Sequence, residues 1–490
     1  MTTTLVPSPI ASTPALPADP LMVVRRWPVE WPLMALCSGA AHERWGRWTI
    51  LARPRGWYTH LGGRSDLAGF DPAPPWVRHL TFGHDPLQDV DRLFGISTGG
   101  VRAGEAEHDD PGPPFRGGWI GSFGYELGFS IEPTARVDLV KTPSWPLIEL
   151  AWCPDALVFD HASGRWWMIG EVEAIVDRLV GDLLPSPIGR GAGSKGLSST
   201  APTHAAPFQV SPLHSSPGGA AFKQAVTRTL EYIRAGDVFQ ANIAQQYGCD
   251  FRGSTRTLFL RAMRTSGARY GALLESAAGR TIVSMSPELF LQIDGASRRI
   301  VTRPIKGTRP MEQDAAALAG SGKDAAELHM IVDLMRNDLG RVCSFGSMRV
   351  NEARVIETYP TVHHGVAEVS GTLRPGATMG DVLRATFPPG SVTGAPKVRA
   401  MQVIDELEPH PRGAYCGAIG FIDVRGGACL NVGIRTIALT GEREPGRCDA
   451  FTYAALTYGA GCGVVADSTP DGELAECEQK TAVLRATLTG

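Results

Sequence analysis

Three charged side chains near the C-terminus, Glu473, Glu476 and Lys480, stand at i, i+3 and i+7. On a helix that spacing puts them on one face. Glu327 lies beside Leu328 and Ile331 in a second helical pattern. Carboxylates from two helices converging on one point bind a hard divalent ion such as Mg2+, which keeps several waters and completes its shell with an anionic ligand. The same spacing also suits a solvated helix face with a Glu–Lys pair. Two glycine-rich turns are a second candidate. FPPGSVTGAPK sets Gly390 and Gly394 around an expected helix start, where backbone N–H groups attract anions. YGAGCGVVADS holds Gly459, Gly461 and Gly463, where a ligand can approach the backbone closely. Either run also serves as a tight connection without a ligand, and neither matches a phosphate loop or dinucleotide fingerprint. Single polar groups in apolar runs complete the set. Lys306 follows RRIVTRPI; in a partly dry pocket it is a nucleophile, and at a strand end it reaches solvent. Arg435, inside NVGIRTIAL, needs an anion if buried: a substrate carboxylate or a structural ion pair. His363 and His364 follow ETYPTV, one of them a candidate general acid or base, or a satisfied core histidine.

The elements that must hold these groups are legible in the second half of the chain. Phe222, Val226, Leu230 and Ile233 recur at helical spacing, and Gly236 is a C-terminal stop. Leu328, Ile331, Val332 and Met335 form the stripe of the Glu327 helix. In TGAPKVRAMQVIDELEP, Thr393 is expected to cap a helix, Pro396 to sit in its first turn and Pro409 to end it. A last helix is expected from Asp471 to Leu488. Strands are expected in TIVSMSPELFLQI, RRIVTRPIKGT, GAIGFIDV and LNVGIRTIAL. Irregular alternation of helices and strands points to an α+β fold with a large, mostly antiparallel sheet.

The 490 residues carry a formal net charge of −3, which gives no reason to expect nucleic acid or an anionic membrane as partner. Any basic groups for an anionic substrate must be local. Nine scattered cysteines without a C-x-x-C pair read as reduced thiols of a cytoplasmic chain. No apolar run is long enough to span a bilayer, and the N-terminus lacks the pattern of a signal peptide. Four segments are expected: a disordered tail over 1–20, an N-terminal region over 21–184, a Gly/Ser/Pro-rich linker or loop over 185–219, and a main region over 220–490.

Ordered motifs then identify a family resemblance. YIRAGDVFQANIAQ, SMSPELFL, RPIKGT, KDAAELHMIVDLMRNDLGRV, ETYPTVHHGVAEVSGTL, FPPGSVTGAPKVRAMQVIDELEP, NVGIRT and GVVADSTPDGELAECEQK cover nearly all of 219–490, and GGWIGSFGYELG at 117–128 fits the N-terminal part. Together they resemble the chorismate-utilising enzymes, the family of anthranilate synthase and aminodeoxychorismate synthase large subunits. The resemblance implies a two-part β-sandwich of large, mostly antiparallel sheets with helices outside, and residues 220–490 as the chorismate-binding region. It implies Glu327 and Glu476 as Mg2+ ligands supported by Glu473. Arg435, Tyr415 and Lys480, with the backbone of Gly461 and Gly463, stand where the family holds chorismate carboxylates. Thr308 and Gly394 are implied to line the pocket, and His364 stands at the catalytic histidine position. Relatives that add water carry a lysine base where this chain has Gln240, and a neutral amide cannot activate water. Anthranilate synthases usually read P-I-A-G-T, whereas Pro304–Thr308 reads PIKGT, the form of the aminodeoxychorismate branch, in which Lys306 is a covalent nucleophile. Nothing in the chain resembles a glutaminase, so ammonia is expected from a separate glutamine amidotransferase subunit or from free ammonium.

Overall fold

The computed structural model describes residues 8–9, 16–39, 46–70, 73–97, 112–138, 140–181, 207–276, 278–359 and 362–489. Residues 1–7 and 10–15 of the expected tail, and 182–206 spanning most of the expected linker, lie outside the described residues. Within those two segments, Ser8–Pro9 pairs with Trp167 and Met168, and Asp19 caps the helix Pro20–Arg26 by accepting from the Leu21 N–H. Phe208–Val210 and His214–Ser216 pair with the strand Gln240–Ser254.

Two large antiparallel sheets with helices around them make the fold α+β, as expected. Among the described residues, one sheet has 13 strands and the other 11. The first centres on two long partners, Gln240–Ser254 and Ala450–Val464. It continues through Thr436–Arg443, Arg280–Ser286 and Tyr270–Glu275 into Met34–Cys37 and Trp48–Ala52. The second runs from Ile305–Pro310 through Val362–Thr372, Arg299–Arg303, Leu289–Ile293, Ala428–Val432 and Ala418–Asp423 into Gly118–Phe123 and Ile148–Cys153. Both sheets therefore mix early and late strands, and the N-terminal region shares its core with the rest: Trp27, Tyr58, Trp119 and Tyr125 are buried in the same cluster as Phe222, Phe259 and Phe290. A buried ion pair fastens the two parts. Arg256 bonds Glu275 at 2.9 Å and donates to the carbonyls of Trp27, Pro28 and Trp31. Removing one partner would strand the other charge in the core, which costs about 3–5 kcal/mol. All nine cysteines are free. No described helix is long and apolar enough to cross a membrane.

Several expected elements differ in detail. Gly219–Ala235 ends at Gly236 with φ 83°, as the glycine stop requires. Thr393, however, does not cap that helix: its hydroxyl donates to the Pro389 carbonyl, and Lys397–Leu407 begins after Pro396 without a side-chain cap. The expected last helix is two, Pro470–Lys480 and Ala482–Thr489. At the break Thr481 donates to the Glu478 carbonyl at 2.7 Å, a local bond that competes with helix continuation.

The splitting of two expected strands builds the site. TIVSMSPELFLQI divides into Arg280–Ser286 in the first sheet and Leu289–Ile293 in the second. LNVGIRTIAL divides into Ala428–Val432 in the second sheet and Thr436–Arg443 in the first. The chain thus crosses between sheets twice, at neighbouring points. The Ser286 hydroxyl donates to Val432 O at 2.7 Å, and Met285 N donates to Arg435 O at 2.9 Å. At such a corner backbone bonds are shared between sheets and side chains point into the space between them.

Candidate active site

Lys306 is aimed by a bulge. The strand Ile305–Pro310 pairs with Val362–Thr372, and its register shifts between Ile305 and Thr308. Gly307 takes φ 83°, and a Cβ there would come within 2.8 Å of Leu318 and 3.0 Å of Asp324, so glycine is required after the lysine. Beyond the bulge the ladder resumes with Thr308 opposite His364. Thr308 Oγ1 lies 2.8 Å from His364 Nδ1. The histidine is buried, and its Nε2 has no partner. Burial, with the nearby Arg435 guanidinium, pushes its pKa down to about 3, so the imidazole is neutral.

Glu288 is the group that sequence reasoning missed. It sits at the first crossing, 3% exposed, where Ser391 donates to its Oε1 at 2.5 Å. Burial pushes its carboxyl up to about 7, against the opposing pull of that hydrogen bond and of the Lys306 and Lys480 charges. The only signal in the sequence was a carboxylate between two apolar runs in SMSPELFL, a weak one in isolation. Arg435 stands at the second crossing with φ 49°, a left-handed conformation that costs a non-glycine residue about 1 kcal/mol or more. Burial draws its pKa down, and its guanidinium has no hydrogen bond or ion pair to the described residues. An anion is what such a group lacks.

Lys480 donates to the Gly461 carbonyl at 2.8 Å and pairs with Glu476 at 2.9 Å. Its pKa is raised: desolvation opposes the charge, but Glu476 together with Cys462 and Cys477 outweighs it, while the side chain stays partly exposed. Gln240 starts the long strand beside Gly394–Ala395. Its side chain is fully buried and neither amide atom has a partner. A Cβ on Gly463 would run into that amide, and one on Gly394 into the Gln240 carbonyl, so these glycines keep the space above the strand open. The Tyr415 ring covers Gly459 in the same way. The Arg412 guanidinium lies 5.8 Å from the Tyr415 ring centroid and donates to both Glu408 oxygens, to Val392 O and to Asn242 O. Glu126, from GGWIGSFGYELG, accepts from the N–H groups of Arg412 and Gly413 at 2.6 and 3.0 Å, which ties the N-terminal motif to the site. Neither Arg412 nor Glu126 stood out in the sequence.

Of the expected metal carboxylates, Glu473 is buried with Oε2 lacking a partner, and Glu476 is half-exposed beside Lys480. Glu327 lies on the helix Gly322–Gly340, which packs on the strands that carry Lys306 and His364. Among the described residues no three His, Cys, Asp or Glu side chains lie together as a set that could hold a metal ion. In donor type alone Glu327, Glu473 and Glu476 suit Mg2+: all are carboxylates, and Glu473 brings one buried oxygen without a partner.

The chorismate binding enzyme family matches residues 96–486. The chain is 34% identical over 459 residues to aminodeoxychorismate synthase component 1 of Escherichia coli (strain K12), covering 91% of each. It is 34% identical over 391 residues to anthranilate synthase component 1 of Thermus thermophilus, covering 76% of this chain and 77% of that one. Among solved structures, anthranilate synthase component I from Streptococcus pneumoniae TIGR4 superposes with a TM-score of 0.69 at 26% identity, over 89% of this chain and 92% of its own. A likeness of this length and breadth, on top of the site's geometry, shows that the chain belongs to the chorismate-utilising family of anthranilate and aminodeoxychorismate synthase component I.

Proposed function

We propose that this chain is the chorismate-aminating component of aminodeoxychorismate synthase, which makes 4-amino-4-deoxychorismate for 4-aminobenzoate and folate with ammonia from a separate glutaminase subunit. The observation that carries the reading is Lys306, set by its bulge so that its charge acts on the buried Glu288 carboxyl. Lys306 passes its ammonium proton to Glu288 and bonds as the neutral amine to ring carbon 2, the ring double bonds shift, and the bond from carbon 4 to its hydroxyl breaks. Glu288, held near pH 7 by burial, gives that leaving oxygen its proton, so water departs. Ammonia then bonds to carbon 4, the double bonds shift back, and the bond to Lys306 breaks. Proton return to Glu288 restores the site, and the balance is chorismate plus ammonia to aminodeoxychorismate plus water. Arg435, Tyr415 and Lys480 orient the substrate carboxylates, and Gln240, an amide, leaves water unactivated. Burial and the Arg435 charge keep His364 neutral, and Thr308 meets its Nδ1. Glu327, Glu473 and Glu476 would hold Mg2+, which when bound offsets charge on the substrate carboxylate. Nine free cysteines suit a reducing cytoplasm.

The second reading, anthranilate synthase, is favoured by the T. thermophilus relative, which has the same 34% identity as the E. coli one, over 391 residues against 459. A lysine at 306 speaks against it, since an attack of ammonia on carbon 2 needs that place empty. The test is a product assay with chorismate, Mg2+ and ammonium, with and without aminodeoxychorismate lyase. The proposal expects 4-aminobenzoate only when lyase is added, loss of product on chelating divalent ions, and a Lys306→Ala variant that shifts toward anthranilate. Anthranilate from the unaltered protein without lyase would overturn it.

A further inference from the structure

Thr308, at Nδ1, and its neighbour Gly307, through its backbone, together restrain the His364 imidazole from the strand Ile305–Pro310. A further restraint comes from a residue the mechanism above does not use. The Tyr359 ring stands edge-to-face against His364, 5.0 Å between centroids at 79°. Tyr359 is itself held on three sides. The Arg269 guanidinium lies over its ring at 4.0 Å, its hydroxyl donates to Glu357 Oε2 at 3.1 Å, and its N–H donates to Val362 O at 2.8 Å. Glu357 is in turn fixed by Arg269 at 2.5 Å and Arg303 at 2.6 Å, and it faces His364 across the strand ladder. Arg269, Arg303 and Tyr359 are all buried. A buried cluster of four bonded groups that ends on one side of a histidine ring is more fastening than a hairpin end needs.

We propose that Tyr359, clamped by Arg269 and Glu357, is a positioning residue: it fixes the plane of the His364 imidazole so that Nε2 faces the chorismate site. The inference deepens the functional reading, and rests on it for the role of His364. An aromatic edge against a ring face is directional, so it sets orientation where an aliphatic contact would set only distance. Misplacement of a reacting group by about 1 Å costs on the order of a hundredfold in rate, so the effect belongs in kcat and leaves chorismate binding in place.

The test compares Tyr359→Leu with Tyr359→Phe in the full chain, with ammonium, Mg2+ and chorismate. Histidine labelled with 15N reports the ring directly, and the His364 signals among the 12 histidines are identified by their loss in His364→Gln. Tyr359→Leu is expected to lower kcat about a hundredfold, to leave the KM for chorismate within about twofold, and to turn the single His364 tautomer into a mixture. Tyr359→Phe keeps the ring and is expected to retain both the signal and most of kcat. If Tyr359→Leu does not fold, as judged by circular dichroism, Arg269→Gln releases the same clamp and is read the same way. An unchanged His364 signal, or wild-type kcat in Tyr359→Leu, overturns the proposal. If the unaltered protein leaves chorismate intact, the functional reading fails, while the His364 signal still decides the positioning.

Discussion

Replacing Glu288 by glutamine separates two consequences of burying that carboxyl. Burial lifts its pKa from 4.5 to about 7. The folded chain therefore keeps a proton on Glu288 between those values while the unfolded chain has lost it, so stability declines as pH rises through that window. A shift of that size corresponds to about 3 kcal/mol, nearly all of it lost by pH 8. Unfolding 490 residues at about 2.1 cal/mol/K each gives an entropy of about 1 kcal/mol/K, so this equals about 3 °C in Tm. Glutamine keeps the acceptor for the Ser391 hydroxyl but never ionises. Glu288→Gln should thus melt about 3 °C above the wild-type protein at pH 8 and level with it near pH 4.5. Glu126, also lifted to about 7 by burial, is common to both proteins and cancels in the comparison. The same change removes the proton donor, so kcat with ammonium should fall about 10²–10⁴-fold. Calorimetric scans across pH and a coupled 4-aminobenzoate assay read the two effects separately. Wild-type turnover in the variant would refute the proton-donor role, and equal Tm differences at pH 4.5 and pH 8 would refute the buried ionisation.

Two further outcomes follow from the site. Arg435→Gln should raise the KM for chorismate about 10–100-fold through loss of a charge-assisted contact, without lowering Tm, because the guanidinium has no partner to strand; a lowered Tm with unchanged KM would point to a structural ion pair instead. Gly463→Ala should destabilise the fold by about 1–3 kcal/mol in urea melts and depress activity, since its Cβ would collide with the Gln240 amide; an unaltered midpoint would mean that the amide has room to move.

Much of this protein is legible in its sequence because much of it is local. Apolar spacing gives the helices Gly219–Ala235 and Gly322–Gly340, and Gly236 marks its stop because only a left-handed residue closes that turn readily. Lys306, Gly307 and Thr308 are neighbours whose bulge carries its own glycine, and Thr308 meets His364 through a simple ladder. Glu476 and Lys480 meet because they are one helical turn apart. What the sequence alone did not determine depends on long-range closure. TIVSMSPELFLQI and LNVGIRTIAL each read as one strand, because hydrophobic pattern is indifferent to which sheet a strand joins. Only the packing of two sheets decides that both runs break and cross at one corner, and that crossing is what buries Glu288, strains Arg435 and sets the two on one site. The Arg412–Glu408 brace, with Glu126 from nearly 300 residues away (286 to Arg412), and the Tyr359 clamp are likewise products of the tertiary fold. Residue types and spacing determine which groups are available; the low dielectric of the closed interior decides which of them are protonated, neutral or unpartnered, and so what each can do.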